Sequence, residues 1–379
     1  MTPKASRGYP VPPYPTPVTV SVAGIMFTDA AARGYYNPLY DRQRELNIEP
    51  PQWQINPPKN EPISYVRKTK ATLKLDITVS CRTPIWVRVK PTGRLNSDAT
   101  PLTFTPRSQP IRVTNWDDPD YERLIFTTNL LPDEVRLDQL RITWDFEYGY
   151  TKNGPWFDAG KERTAHEIYI TYARPYYGFP MSYRPWKQVL RTACSYAHGA
   201  KTTIKASSLV TTGIYDSLEF KYDGTDSHSE FDNSQIRLWD MIGDGWVDCM
   251  DGSNYYTILM RWLGIFANQI KINKGPGGFY YKTLRPISTA ADLNGGWLVR
   301  DLNQWNSNWW YFHQVGILTN IYDPIIRIEK ETEAKRVPTN MTKDNYMHAL
   351  FDPVPYRDPE IEISGTFPWD VAALVGKVI

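Results

Sequence analysis

Between residues 64 and 172 apolar and polar residues alternate in short runs: TLKLDITVS, PIWVRVKP, PIRVTNW, RLIFTTN, LRITWDFEY and HEIYITYA. A side-chain period of two, enriched in β-branched and aromatic residues, is the pattern of strands that turn one face to a core. Clusters with turn chemistry separate the runs, namely NSDAT, DDPDY, LPDE and TKNGP. Several short strands at regular spacing predict an all-β sandwich, immunoglobulin-like in outline. The Cys…Trp…Cys signature of antibody domains is missing, because Cys81 has no second cysteine within the segment.

After ARPYYGFPMSYRP the period changes. WKQVLRTACSYAHGA sets Trp186, Val189, Leu190, Ala193 and Ala197 along one helical face, and YYTILMRWLGI does the same with Tyr255, Ile258, Leu259, Trp262 and Leu263. Gly264 follows as a helix C-terminal residue would. NQIKI, WYFHQVGIL and IYDPIIRI read as strands, and the Gly-rich GPGGFYY reads as a flexible loop suited to covering a cleft. Helices followed by strands predict an α+β unit. The first sixty residues carry the proline clusters PVPPYPTP and EPPQWQINPPKNEP, whose fixed φ and missing amide donors favour an extended arm. YYNPLY and PQWQI supply anchors that would pack on the body. The expected chain is multidomain: a proline-rich extended arm over 1–62, a β-sandwich domain over 63–176, and an α+β domain over 177–379 whose last fifty residues show little periodicity.

Cys249 stands just ahead of the second amphipathic run, at the start of the predicted helix. First-turn amides and the helix dipole stabilise a thiolate there. A free cysteine is more often a small buried hydrophobe, so the position matters only if a base and an orienting acceptor accompany it. His313 lies in WYFHQVGIL and Asp323 follows ten residues later in IYDP. If these segments pair as antiparallel neighbours, imidazole and carboxylate meet on one side of the sheet. The carboxylate then fixes the ring tautomer, and the other ring nitrogen faces the thiol. The competing reading makes His313 a core histidine bonded to a carbonyl and Asp323 a turn residue before Pro324.

These residues, in this order, resemble the transglutaminase-like superfamily, a branch of the papain-like cysteine enzymes. Cys249, Asp251, Arg261, Leu263, Gly264 and Ile265 stand in that family's pattern and register, followed by His313 and by Asp323 with Pro324. The helix WKQVLRTACSYA is similar to the one that precedes the family's cysteine. The likeness covers roughly residues 185–328. It departs at Val315, where many relatives carry a tryptophan, and the tryptophans of NWWYF precede His313 instead. The resemblance implies a papain-like, transglutaminase-like α+β domain with a Cys249–His313–Asp323 triad. It implies acyl transfer on amide bonds of a protein or peptide substrate, with peptidase or amidase action favoured over transamidation, and no cofactor. Oxyanion-hole candidates are Trp239, Gln235 and Trp246, with the Cys249 backbone amide as the safer choice.

Composition narrows the alternatives. A net charge of +2 spread along the chain leaves no electrostatic footprint for nucleic acid. No apolar run approaches the ~18 residues of a membrane span. Prolines break up the N-terminal region where a signal peptide would carry its apolar block, so a soluble protein, cytoplasmic or exported by a non-classical route, is expected. Three cysteines cannot all pair within one chain. DGTDSHSEFD contains His228 among acidic residues, but its spacing matches neither a calcium loop nor a zinc site, so no metal is expected. The 14% aromatic content suits large cores first. It also keeps open a different class of function: a non-catalytic structural or assembly protein on the same scaffold, self-assembling through the proline-rich arm. Carbohydrate stacking on WNSNWWYF is a third reading.

Overall fold

The computed structural model describes residues 18–29, 39–97, 101–107, 109–114, 124–175, 185–217, 220–222, 231–232, 235–236, 238–273, 279–280, 284–287, 309–310, 312–328, 336–350 and 360–362. The first half is strands throughout: β1 (Thr19–Asp29), β2 (Tyr40–Asp41), β3 (Leu46–Asn47), β4 (Trp53–Gln54), β5 (Lys59–Asn60), β6 (Ile63–Val66), β7 (Lys70–Ser80), β8 (Ile85–Leu95), β9 (Pro101–Pro106), β10 (Ile111–Val113), β11 (Leu124–Leu130), β12 (Arg136–Gly149) and β13 (Phe157–Thr171). All but β2 and β3 join one eleven-stranded sheet, in the order β5-β4-β1-β7-β11-β9-β8-β12-β13-β6 with β10 added to β8. Because β9 pairs with both β11 and β8, the two layers expected of a sandwich are continuous in one large curled sheet.

The alternating runs place their apolar side chains inside this curl. Leu73, Leu75, Phe126, Trp144 and Phe146 are all buried there. The one polar atom of the Trp144 ring is satisfied by Thr164 Oγ1 at 3.0 Å, as a buried indole requires. His166 belongs to the same core, edge-on to Phe27. Burial lowers its ring to about 3, so it packs as a neutral aromatic.

The described part of residues 1–62, expected as an extended arm, is built into the body. β1 pairs with β7 along its whole length and with β4 on its other side. Val20 and Val22 point inward, then the register shifts between Val22 and Gly24, and Ile25 and Phe27 point inward. A bulge of this kind adds one residue and moves the alternation to the other parity. Leu39 and Ile48 reach into the core of the second half.

That half contains α1 (Lys187–Tyr196), α2 (Thr203–Asp216), β14 (Lys221–Tyr222), β15 (Phe231–Asp232), β16 (Gln235–Ile236), α3 (Leu238–Asp244), β17 (Trp246–Val247), α4 (Cys249–Trp262), β18 (Asn268–Asn273), β19 (Phe279–Tyr280), β20 (Leu284–Pro286), β21 (Trp309–Trp310), β22 (Phe312–Ile317), β23 (Ile321–Tyr322), β24 (Ile326–Ile328), α5 (Lys343–Leu350) and β25 (Glu360–Glu362). Its principal sheet has the order β23-β22-β18-β25. α4 lies between this sheet and α1 and α2, buried along nearly all of its length. No described helix is long and apolar enough to cross a membrane.

The two halves meet at backbone level. Ala173 N, just beyond β13, donates to Leu263 O at 3.0 Å. Gly264 has φ +79°, and a Cβ there would sit 2.4 Å from the Ala173 carbonyl group. A second tie joins β2 to α1, where Asp41, 1% exposed, accepts from Lys187 Nζ at 2.6 Å, Gln188 Nε2 at 2.8 Å and Arg44 Nε. Burial alone would raise the Asp41 carboxyl, but the donors Lys187, Arg44 and Gln188 outweigh it and hold the group well below the usual carboxylate range.

Two predictions follow from these junctions. Gly264→Ala forces an L-residue into the left-handed region against a backbone, and should lower the urea unfolding free energy by ~2 kcal/mol or more. Gly243→Ala, with open space around it, should change stability by less than ~1 kcal/mol. Asp41 stays ionised in the folded chain at pH values that protonate it in the unfolded chain. Its contribution is therefore complete above about pH 4 and is lost as pH falls through the lower folded value. Urea titrations of wild type and Asp41→Asn should differ by ~2 kcal/mol at pH 7, with the gap closing towards pH 2.

Candidate active site

α4 begins at Cys249 because Asp248 caps it. The Asp248 carboxylate accepts from Asp251 N at 2.8 Å, and the Asp251 carboxylate accepts from Asp248 N at 3.3 Å. This reciprocal box satisfies two backbone donors at the helix end, and it assigns Asp251, the acidic residue of the family-like pattern, to holding the first turn. Arg261, near the other end, donates from Nε to Ala267 O at 3.1 Å and from Nη2 to Asn268 Oδ1 at 3.1 Å. It thereby fixes the turn into β18. Cys249 is the first helical residue and is 8% exposed.

The contact between α4 and the sheet is unusually close. A Cβ on Gly252 would lie 1.9 Å from Ile325 Cδ1, and one on Gly316 would lie 2.3 Å from the Tyr256 ring. Tyr256 stacks on Tyr322 with ring centroids 5.8 Å apart. Beside these contacts runs a buried polar chain: Gln314 Nε2 donates to Ser253 Oγ at 2.8 Å and to Gln269 Oε1 at 3.3 Å, Gln269 Nε2 donates to Asn254 Oδ1, and Asn254 Nδ2 donates to Met250 O at 2.8 Å. Gln314 thus sits beside Ser253 and Gly316 beside Tyr256, so β22 runs along α4 in the same direction. His313, one residue before Gln314, falls level with the first turn.

Gln314 and Gly316 meet α4, and His313, the residue before Gln314, meets Asp323. β22 and β23 pair antiparallel through Gly316↔Tyr322 and Ile317↔Ile321, and Asp323 follows directly. His313 Nε2 lies 2.7 Å from Asp323 Oδ2, with both residues 0% exposed. Asp323 Oδ1 accepts from Ile325 N at 3.0 Å, and Asp323 N donates to Pro338 O at 2.9 Å. The same Oδ2 accepts from Tyr346 Oη at 2.6 Å. Tyr346 is buried in α5, and burial first, then the charge and hydrogen bond of Asp323, then the charge of Cys249 push its hydroxyl well above the ordinary tyrosine range. Cys249, at the start of α4, thus lies near enough to Tyr346 to act on its hydroxyl, whereas His313, Asp323 and Tyr346 are joined by direct bonds.

The remaining candidates are placed less suggestively. The Trp239 ring packs edge-on to Trp186 at 6.2 Å, with the Arg42 guanidinium 5.7 Å from its centroid. Trp246 lies in β17 with Lys221 Nζ 5.9 Å from its ring, and Gln235 lies in β16. The Cys249 amide belongs to the first turn, whose N–H groups point out of the helix end. Cys194 packs in α1 with its thiol pushed far up by burial, and burial also raises the Cys81 thiol. No disulfide forms among the three. Most of DGTDSHSEFD, GPGGFYY and WNSNWWYF lies outside the described residues. Among the described residues no group of three or more His, Cys, Asp or Glu is placed to hold a metal ion.

The sequence reading missed Asp248 and Tyr346. Asp248 was recoverable, since Asp-x-x-Asp ahead of an apolar run is a capping signal. Tyr346 was not, because nothing local marks a residue whose partner is 23 positions away. No protein-family model matches the chain, and no curated protein sequence matches it.

Asp323→Ala leaves two buried donors, His313 Nε2–H and the Tyr346 hydroxyl, without their acceptor. It should cost ~3 kcal/mol or more in urea unfolding, an effect that does not depend on catalysis.

Proposed function

We propose that the chain is a cysteine-dependent acyl-transfer enzyme of transglutaminase-like type, acting on amide bonds of a protein or peptide and passing the acyl group to water. The observation that carries this reading is the buried His313–Asp323 bond of 2.7 Å, level with a helix whose first residue is a cysteine. Asp323 accepts a hydrogen bond from His313 Nε2–H, which leaves Nδ1 the basic nitrogen of the neutral ring. His313 Nδ1 accepts the Cys249 Sγ proton as the sulfur attacks the carbonyl carbon. The carbonyl oxygen gains charge and is held by first-turn amides, the Cys249 N–H among them. Collapse of the tetrahedral adduct breaks the C–N bond, and His313 returns the proton to the departing amine. Water, deprotonated by His313, then cleaves the thioester and restores the thiol.

A second reading, a structural or assembly protein on the same scaffold, draws on the 8% exposure of Cys249. One experiment separates the two. Wild type, Cys249→Ala and His313→Asn are treated with an iodoacetamide-based probe at pH 7, and the labelled site is mapped by mass spectrometry. The enzyme reading expects Cys249 to label at least tenfold faster than Cys81 and Cys194, and expects His313→Asn to slow it by a factor of ten or more. Equal, slow labelling of all three thiols supports the scaffold reading.

A further inference from the structure

Asp323 Oδ2 receives two donors at once, His313 Nε2 at 2.7 Å and Tyr346 Oη at 2.6 Å. A carboxylate oxygen has two lone-pair sites, so both bonds form together, yet both draw on the charge of one atom. Burial and the adjacent Asp323 keep the Tyr346 hydroxyl protonated, which makes it a permanent donor. It cannot exchange roles with the histidine.

We propose that Tyr346 is a positioning residue that sets the proton affinity of His313 by sharing Asp323 Oδ2 with it. The inference rests on the reading of Cys249, His313 and Asp323 as the reacting set. A buried carboxylate aimed at an imidazole through an unshared oxygen stabilises the imidazolium strongly. A ring in that state gives up its proton poorly and transfers it slowly to a departing amine. The Tyr346 bond withdraws part of that negative charge and clamps the carboxylate, whose Oδ1 is already held by Ile325 N at 3.0 Å. Among the described residues, Asp323 is hydrogen-bonded to the imidazole, Tyr346 from α5 shares that carboxylate oxygen, and Cys249 from α4 acts on the Tyr346 hydroxyl. Asp248 and Asp251 are tied to each other's backbone at the same helix end. Lys271 of β18 pairs opposite Gln314, and Ile272 pairs opposite His313.

The test is a nitrogen-15 NMR titration of His313 in the full chain carrying Cys249→Ala, so that no thiolate contributes. The His313 signal is assigned among the five histidines by His313→Gln. Adding Tyr346→Phe should raise the His313 midpoint by about one pH unit, a tenfold gain in proton affinity. Tyr322→Phe, whose hydroxyl donates to Asn340 Oδ1 at 3.2 Å, should leave it in place. Site-specific 3-fluorotyrosine at position 346, a stronger donor of the same shape, should lower the midpoint, and this arm serves if the Phe variant unfolds. A midpoint that does not move in either arm, or that lies outside pH 4–10 in every form, overturns the proposal. The titration needs no nucleophile. An inert Cys249 in the labelling experiment would remove the enzyme reading and with it the role of Tyr346 in proton transfer, whereas an unmoved midpoint would overturn the tuning of His313 alone.

Discussion

The position of every group in the candidate site depends on how α4 lies against β22. Apolar burial alone would hold the helix to the sheet without fixing where along the strand it rests, since dispersion contacts are many and individually weak. Two features remove that freedom. Gly252 and Gly316 let Ile325 and the Tyr256 ring press into the opposing backbone, so a shift along the axis would produce a clash. The amides of Gln314, Gln269 and Asn254 form a buried chain that is satisfied only in this register, and a partly satisfied buried network is costly. With the helix locked, the capping box formed by Asp248 and Asp251 decides which residue comes first, and that residue is Cys249.

How much of this was legible in the sequence follows from the range of the interactions. The strands of β7, β8, β11, β12 and β13 announce themselves because alternation is local and their inner faces are apolar. β1 was hidden by its bulge, which changes the parity of the pattern midway, and by neighbouring prolines that suggested an arm. α2 was hidden by composition: TIKASSLVTTGIYD is rich in β-branched residues, which lower helix propensity. Ala206, Val210 and Ile214 nevertheless recur every fourth position and are buried, and Thr202 caps the start by accepting from Lys205 N at 3.2 Å. His313 and Asp323 could be read as a pair because a short connection makes neighbouring antiparallel strands the simplest arrangement. Tyr346 sits in a stretch without strong periodicity, and its role exists only after folding.

Two histidines illustrate how position decides chemistry. His166 and His313 are equally buried. His166 meets Phe27, Trp53 and a threonine hydroxyl, so its neutral form is favoured and it serves as core. His313 meets a carboxylate that is held from three other directions, by Ile325 N, Pro338 O through its own amide, and the Tyr346 hydroxyl. That carboxylate offers the ring a counter-charge, which the first histidine lacks.

The backbone bond between Ala173 and Leu263, together with the approach of Gly264, joins the end of the sheet's last strand to the last turn of the cysteine-bearing helix. That helix has fourteen residues, Cys249 at its first position and Trp262 at its last. The junction and the sulfur therefore stand at opposite ends of one helix, about 20 Å apart. The β-rich half is thereby anchored to the far end of the helix that carries the candidate nucleophile.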